Sequence, residues 1–247
     1  VKARAVTIAR KALTAGLSVV VDNTNLTVRA RQRWINLATE YGLIPTLQEI
    51  DTPITECITR DLKRVGRART GRAVIERMAL EHGFIDWGDR KLYPRDFIVC
   101  DVDGTLADCS HRLHYIHPSK GHVGRFKKDW YSFLTQTSGD IPIAPIIEAL
   151  AALKEYGNYD ILIISGRATD LAGKDTEDWL NSYSDGYKHL FMRKDSDTRS
   201  DVDVKNEILE MLPKERIKFV LEDRSRVVKD VWRAAGLTTF QVADGDF

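Results

Sequence analysis

Apolar positions alternate along the chain between helical spacing and short unbroken runs. Ala5, Ile8, Ala9 and Leu13 recur at helical spacing in a basic segment over residues 2–15, and Gly16 ends it. Leu17-Ser18-Val19-Val20-Val21 reads as a strand. Thr27 caps a second helix that reaches Tyr41 and stops at Gly42, and residues 43–50 read as another strand. Helices follow over 54–65 and 72–83, separated by a basic, glycine-containing turn. Residues 84–95, with Gly88 and Pro94, read as a linker. From Phe97 the alternation restarts, with runs at Phe97–Cys100, Tyr159–Ile164 and Ile217–Leu221 and a helical pattern opening at Lys205. Such alternation builds parallel sheets. The expectation is an α/β chain with one sheet unit over residues 1–88 and a second over 95–247.

The three later runs each end in polar residues, where open parallel sheets place their ligand sites. The first ends in Asp101-Val102-Asp103-Gly104-Thr105. Carboxylates spaced i, i+2 on a strand share one face, which is costly unless a cation pairs with them. A bound Mg²⁺ and a phosphate chemistry with one nucleophilic and one proton-carrying carboxylate would explain the spacing; an Asp-Gly turn is the plain alternative. The second run ends in Ser165-Gly166-Arg167. Ser165 suits a hydrogen bond to a phosphate oxygen or a helix N-cap, and Arg167 suits a bidentate fork onto phosphate. Lys205 fits charge neutralisation or a solvated helix face. The last run ends in Glu222-Asp223-Arg224.

The four signals, DxDGT, the serine, the lysine and the acidic pair, resemble in type and order those of the haloacid-dehalogenase-like phosphatases. More narrowly, the chain resembles the phage-type bifunctional polynucleotide 5′-kinase/3′-phosphatases. That likeness rests on Ser165-Gly166-Arg167, on Asp197-Thr198-Arg199 ahead of Lys205, and on the tail from Trp232 to Phe247. It rests also on Asp22-Asn23-Thr24-Asn25-Leu26, Arg60 and Arg64. The resemblance implies a P-loop-kinase-like lobe followed by a Rossmann-like phosphatase domain. It implies that Asp101 attacks phosphorus to give an aspartyl phosphate and that Asp103 carries the proton. Asp101, the Asp103 carbonyl and Asp223 would hold Mg²⁺, with Glu222 a weaker candidate acting through water. Ser165 and Lys205 would bind the phosphoryl oxygens. By spacing, Arg112, Arg193 and Asp201 match substrate-site residues of that family, beside Arg167.

The excursion from Leu106 to Ile141 is too long for a simple connection. It carries Arg112, Lys127, Lys128, Trp130, Tyr131 and Phe133. Basic residues interleaved with aromatics suit a nucleotide's phosphate and base; lid packing is the alternative for the rings. His111, His114 and His117 recur every third residue, but only Cys109 could join them, and the Mg²⁺ chemistry needs no zinc.

In the first third, Val19 to Asn25 resembles the inner strand of P-loop kinases. The arginines between Arg60 and Arg77, including Arg64, Arg67, Arg69 and Arg72, suit a lid over ATP phosphates, or a solvated basic helix pair. No GxxxxGK[ST] loop occurs; Gly173-Lys174 comes nearest, but Asp175 follows. ATP-dependent kinase activity is therefore expected only if further sequence upstream supplies that loop, as the Val1 start suggests.

Composition narrows the partners. Of 247 residues, 43% are hydrophobic and 30% charged, with a net charge of +1. Nucleic-acid contact must then come from local patches. Three unspaced cysteines fit a reducing cytoplasm, that of the host if the gene is phage-borne, and no run suits a membrane span or signal peptide. The expected activity is Mg²⁺-dependent removal of 3′-phosphate from RNA or DNA ends, in an end-healing enzyme for nucleic-acid repair. A homo-oligomer is compatible with the resemblance. The competing readings are a nucleotide or sugar phosphatase and a non-catalytic module that binds nucleic-acid ends.

Overall fold

The structure, a computed structural model, describes residues 2–118, 124–184 and 186–244. Gly245-Asp246-Phe247 of the tail lie outside these residues. Two compact units divide the chain, Val1–Thr52 and Pro53–Phe247.

In the first unit, α1 (Lys2–Thr14) and α2 (Val28–Glu40) form as the periodicity predicts. Thr27 Oγ1 accepts from the Ala30 N–H at 3.1 Å and so caps α2. Arg10 pairs with Glu40, and the Tyr41 hydroxyl lies 2.8 Å from Thr14 Oγ1. The strands expected at 17–21 and 43–50 do not form. Both segments lack ladder partners, leaving Val20 91% and Ile44 95% exposed. A parallel strand is held by the peptide groups of its neighbours, and an apolar run alone cannot supply them.

The second unit opens with α3 (Ile54–Leu62) and α4 (Arg72–Glu81). Its sheet comprises β1 (Phe97–Cys100), β4 (Asp160–Ala168), β5 (His189–Arg193), β6 (Ile217–Glu222) and β7 (Thr239–Gln241). The order is β5-β4-β1-β6-β7 and every pairing is parallel. Successive residues of β1 face opposite sides. Phe97 and Val99 pack with α8 (Asp201–Leu209) and with Val227 and Trp232 beyond β6; Ile98 and Cys100 pack with α6 (Ala144–Glu155) and α7 (Thr169–Tyr183). With both faces covered, β1 is fully buried, as its unbroken apolar run requires.

Two segments grouped with the first third by sequence pack on this sheet. Ala79 and Leu80 of α4 join the cluster around Phe97 and Val99. Arg69 donates to Glu177 at 3.1 Å, Arg72 to the Lys188 carbonyl at 2.7 Å and Arg77 to Glu207 at 2.5 Å. These arginines, grouped above with an ATP lid, are instead engaged with the phosphatase sheet and its helices; Arg60, on α3, and Arg64, just past its end, stay exposed beside Glu56 and Asp61. Nor are residues 84–95 a loose connector: Arg216 donates to the carbonyls of Trp87 and Tyr93 at 2.5 and 2.7 Å, and Trp87 Nε1 donates to the Met211 carbonyl at 3.0 Å.

The 106–141 excursion leaves through β2 (Ala107–Asp108) and returns through β3 (Ile141–Pro142), paired antiparallel. Between them lie a 3₁₀ turn, Ser110–Tyr115, and α5 (Trp130–Thr135).

Candidate active site

Three neighbouring strands bring the site together at their carboxyl ends. Asp101 follows β1, Ser165 closes the regular part of β4 where its register with β5 breaks, and Glu222 ends β6 with Asp223 just beyond it. Lys205 comes from α8. The helix predicted to open at Lys205 begins instead at Asp201, capped by Ser200 Oγ accepting from the Asp203 N–H at 3.2 Å, which puts Lys205 one turn inside. There its ammonium, buried, donates to Asp101 Oδ1 at 2.8 Å and to Glu222 Oε2 at 2.7 Å. Trp232 Nε1 also donates to Glu222, at 3.1 Å.

Asp101, Glu222 and Asp223 each bring a carboxylate oxygen within 4.8 Å of the others. Three carboxylates gather round one ammonium, and the Arg224 guanidinium, itself paired with Asp201, is a further cation acting on them, so negative charge exceeds positive. Burial works against charge on Lys205, but Asp101 and Glu222 outweigh it and hold the ammonium above its usual range. The shortage falls on the acids. Burial, with Glu222 adding to it, pushes Asp101 well above the carboxylate range and Asp223 up to about 7. Asp223 Oδ2 is buried without a hydrogen-bond partner, and Thr105 reaches only Oδ1, at 3.5 Å. An unpartnered carboxylate oxygen inside a cluster short of positive charge fits a hard divalent cation such as Mg²⁺. Glu222, the weaker candidate by sequence, belongs to this cluster. The side chain of Asp103 does not.

Asp103 instead faces two buried arginines. Arg167 Nη2 donates to its Oδ1 at 2.6 Å, Arg167 Nε lies 3.1 and 3.2 Å from Oδ1 and Oδ2, and Arg112 Nη2 pairs with Oδ1. Asp140 completes a square of two arginines and two carboxylates: it accepts from Arg112 Nε and Nη2, both at 2.7 Å, and from Arg167 Nη2 at 2.5 Å. Burial favours the neutral acid at Asp103, yet Arg167 and Arg112 prevail and hold its carboxyl well below the usual range. Asp140 was not anticipated. A single aspartate before an apolar run looks like any loop residue, and its partner Arg112 lies 28 positions away.

Ser165 is no helix cap, since α7 begins only at Thr169; its buried Oγ accepts from the Arg167 N–H at 3.2 Å. Asp201 joins Arg193, at 2.7 Å, to Arg224. An added Cβ at Gly166 would collide with Asp201 Oδ1, and one at Gly104, where φ is +79°, with Asp223 Oδ2. The phosphatase residues named from the sequence therefore gather in three groups, Asp101 with Lys205 and Asp223, Asp103 with Arg112 and Arg167 beside Ser165, and Arg193 with Asp201, whereas Arg60, on α3, and Arg64, just past its end, join none of them. The histidines do not converge. His111 Nε2 meets Asp140 Oδ1 at 3.0 Å, and His114 Nδ1 donates to the His111 carbonyl at 3.0 Å.

Comparison with known proteins gives this geometry a lineage. Residues 1–83 match the AAA domain family, and residues 95–247 match the polynucleotide kinase PNKP phosphatase domain. A putative bifunctional polynucleotide kinase/RNA ligase of Autographa californica nuclear polyhedrosis virus is 24% identical over 240 residues, covering 93% of this chain. The chain spans only 31% of that relative. Among solved structures, a chain of the Pnkp1/Rnl/Hen1 RNA repair complex is similar at 23% identity and a TM-score of 0.48, over 98% of this chain and 78% of that one. A haloacid dehalogenase-like hydrolase from Streptococcus pneumoniae is similar at 17% identity and a TM-score of 0.38, over 60% of this chain and 84% of that one. The phosphatase-domain match covers more than half of the chain, which therefore belongs to the polynucleotide kinase PNKP phosphatase-domain family.

Proposed function

We propose that this chain removes 3′-phosphate from polynucleotide ends by in-line transfer of the phosphoryl group to Asp101. The observation that carries the reading is Asp101 at the end of the central strand, with Lys205 on one oxygen and an unpartnered Asp223 oxygen in the same cluster. Asp101, Glu222 and Asp223 would hold Mg²⁺ together with the Asp103 carbonyl. The ion supplies charge neutralisation that lets an anionic nucleophile meet an anionic ester.

In the first displacement an Asp101 oxygen bonds to phosphorus and the bond to the ribose 3′-oxygen breaks. Asp103 gives that oxygen its proton. In the second, Asp103 takes a proton from water, the hydroxide oxygen bonds to phosphorus, and the acyl phosphate releases Asp101 and inorganic phosphate. The substrate-free site holds Asp103 ionised, which suits the second displacement. For the first, the incoming phosphoryl group competes for the Arg167 guanidinium, loosens its fork on Asp103 and lets that carboxyl take up a proton. Lys205 and Ser165 bind the phosphoryl oxygens. Asp201 sets Arg193 and Arg224 around the pocket.

An ATP-dependent 5′-kinase function is read from the AAA-domain match and would need a phosphate-binding loop of the GxxxxGK[ST] kind, which these 247 residues do not contain. Together the two activities would prepare RNA or DNA ends for joining. The test compares phosphate release from one oligonucleotide carrying a 3′-phosphate or a 5′-phosphate, and from a sugar phosphate. Preference for the 3′-phosphorylated strand supports the reading. Faster turnover of the sugar phosphate supports the small-molecule alternative, and binding of ends without turnover supports the non-catalytic one.

A further inference from the structure

The aromatics of the 106–141 excursion divide into two sets. Phe133 is buried beneath Arg112, whose guanidinium carbon lies 4.1 Å from the ring centroid and whose Nη1 donates to the Phe133 carbonyl at 3.1 Å. Trp130 and Tyr131, on the same short helix, are 49% and 66% exposed. Lid packing therefore accounts for the first ring and leaves the other two unexplained. An exposed tryptophan is uncommon, and this one is held in place. Its ring meets Phe133 edge-on at 5.8 Å, and Asp129 caps the helix by accepting from Ser132 N and Oγ at 3.0 and 2.7 Å.

The surroundings are basic. Lys128 Nζ lies 5.3 Å from the Trp130 ring centroid, and Arg125 and Lys127 are exposed beside it. Burial lowers the pKa of His117, and the positive charges of Lys128 and Arg224 push it the same way. Trp130 is joined to the site by a run of direct contacts, through Phe133 to Arg112 and from Arg112 to Asp103.

We propose that Trp130, Tyr131 and Lys128 form the binding platform for the strand that carries the terminal phosphate, with a base stacked on Trp130 and a backbone phosphate on Lys128. This rests on the polynucleotide 3′-phosphatase reading and deepens it. A flat ring beside a cation matches the two invariant parts of a single strand, the face of any base and the phosphate, and reads no sequence. The terminal phosphoryl group occupies the carboxylate site while the preceding nucleotides run along α5. A polynucleotide is thereby separated from a mononucleotide, which reaches the pocket and leaves the platform empty.

The test measures kcat/KM for a 3′-phosphorylated oligonucleotide of about ten nucleotides and for a nucleoside 3′-phosphate, in the wild type, Trp130→Ala, Trp130→Phe and Lys128→Ala. The platform predicts that Trp130→Ala lowers the oligonucleotide-to-mononucleotide ratio about tenfold, through KM, the worth of one base–aromatic stack. Trp130→Phe should retain most of the ratio, and Lys128→Ala should lower it with a weaker dependence on salt. An unchanged ratio in Trp130→Ala overturns the platform. So does an equal loss of kcat on both substrates, which would make Trp130 a prop for Arg112, or a change in oligomeric state, which would make the face a protein contact. Fluorescence anisotropy of a labelled 3′-hydroxyl oligonucleotide separates this proposal from the phosphatase reading. If the wild type releases no phosphate, a Kd weakened about tenfold in Trp130→Ala still supports the strand platform, and an unchanged Kd refutes it.

Discussion

Arg167 forks onto Asp103, with Nη2 2.6 Å from Oδ1, and shares its other contacts with Asp140 and with Thr176 Oγ1 at 3.0 Å. An arginine expected to grip the substrate thus grips Asp103, the proposed proton carrier, in the substrate-free site. The pair stores the acid in its ionised form, and the phosphoryl group of the substrate is what can compete for the guanidinium.

Arg167→Lys keeps the charge and loses the fork. It should lower kcat by about tenfold to a hundredfold while leaving the fold intact, because Asp103 is no longer oriented. Steady-state kinetics beside a melting curve checks this. A loss confined to KM would instead assign Arg167 to ground-state binding.

Arg112→Ala should behave differently. The side chain is fully buried and serves Asp103, Asp140 and the Phe133 carbonyl together. Removing one partner of a buried ion cluster costs about 3–5 kcal/mol. We expect a clear fall in Tm as well as lost activity, and a Tm within a degree or two of wild type would contradict the square of charges.

Divalent-cation binding should depend on pH. A carboxyl with a raised folded-state pKa costs folding stability progressively as pH climbs from the unfolded value of about 4, and for Asp223 the cost is complete above about 7. Below that, a proton already neutralises it. The rise in Tm on adding Mg²⁺ should therefore be larger near pH 8 than near pH 6. Equal shifts at the two pH values would remove Asp223 from the metal site.

Helices α3 and α4 should matter to the phosphatase although they precede its family match. Glu76 of α4 accepts from the Leu190 N–H at 2.7 Å and meets His189 Nδ1 at 3.0 Å, and His189 Nε2 meets the Tyr93 hydroxyl at 3.0 Å, all buried. A chain cut to residues 95–247 loses these partners and exposes the face of β5. Compared with residues 53–247, its Tm should fall by about 10 °C, at ~2–4 °C per kcal/mol.

Much of the phosphatase was legible because its chemistry is local. Asp101, Ser165, Glu222 and Asp223 each follow an apolar run, so a strand end and a candidate site residue appear in the same few residues. The start of α8 is legible too, in Ser200 with Asp201 and Asp203, an N-cap followed by acids in the first turn. Asp140 was hidden because its partners, Arg112, Arg167 and His111, are brought near only by the tertiary fold. The arginines at 69, 72 and 77 read as a basic surface, since their acidic partners lie 4 to 130 positions away. Segments 17–21 and 43–50 have strand composition without ladder partners, and composition cannot report whether a neighbour exists.

The most direct test of the central claim is phosphate release from a 3′-phosphorylated oligonucleotide with Mg²⁺, by the wild type and by Asp101→Asn of equal Tm. Turnover in the wild type and a loss of at least about a thousandfold in Asp101→Asn are expected, because an amide cannot form the acyl phosphate. Undiminished release by Asp101→Asn would contradict the claim.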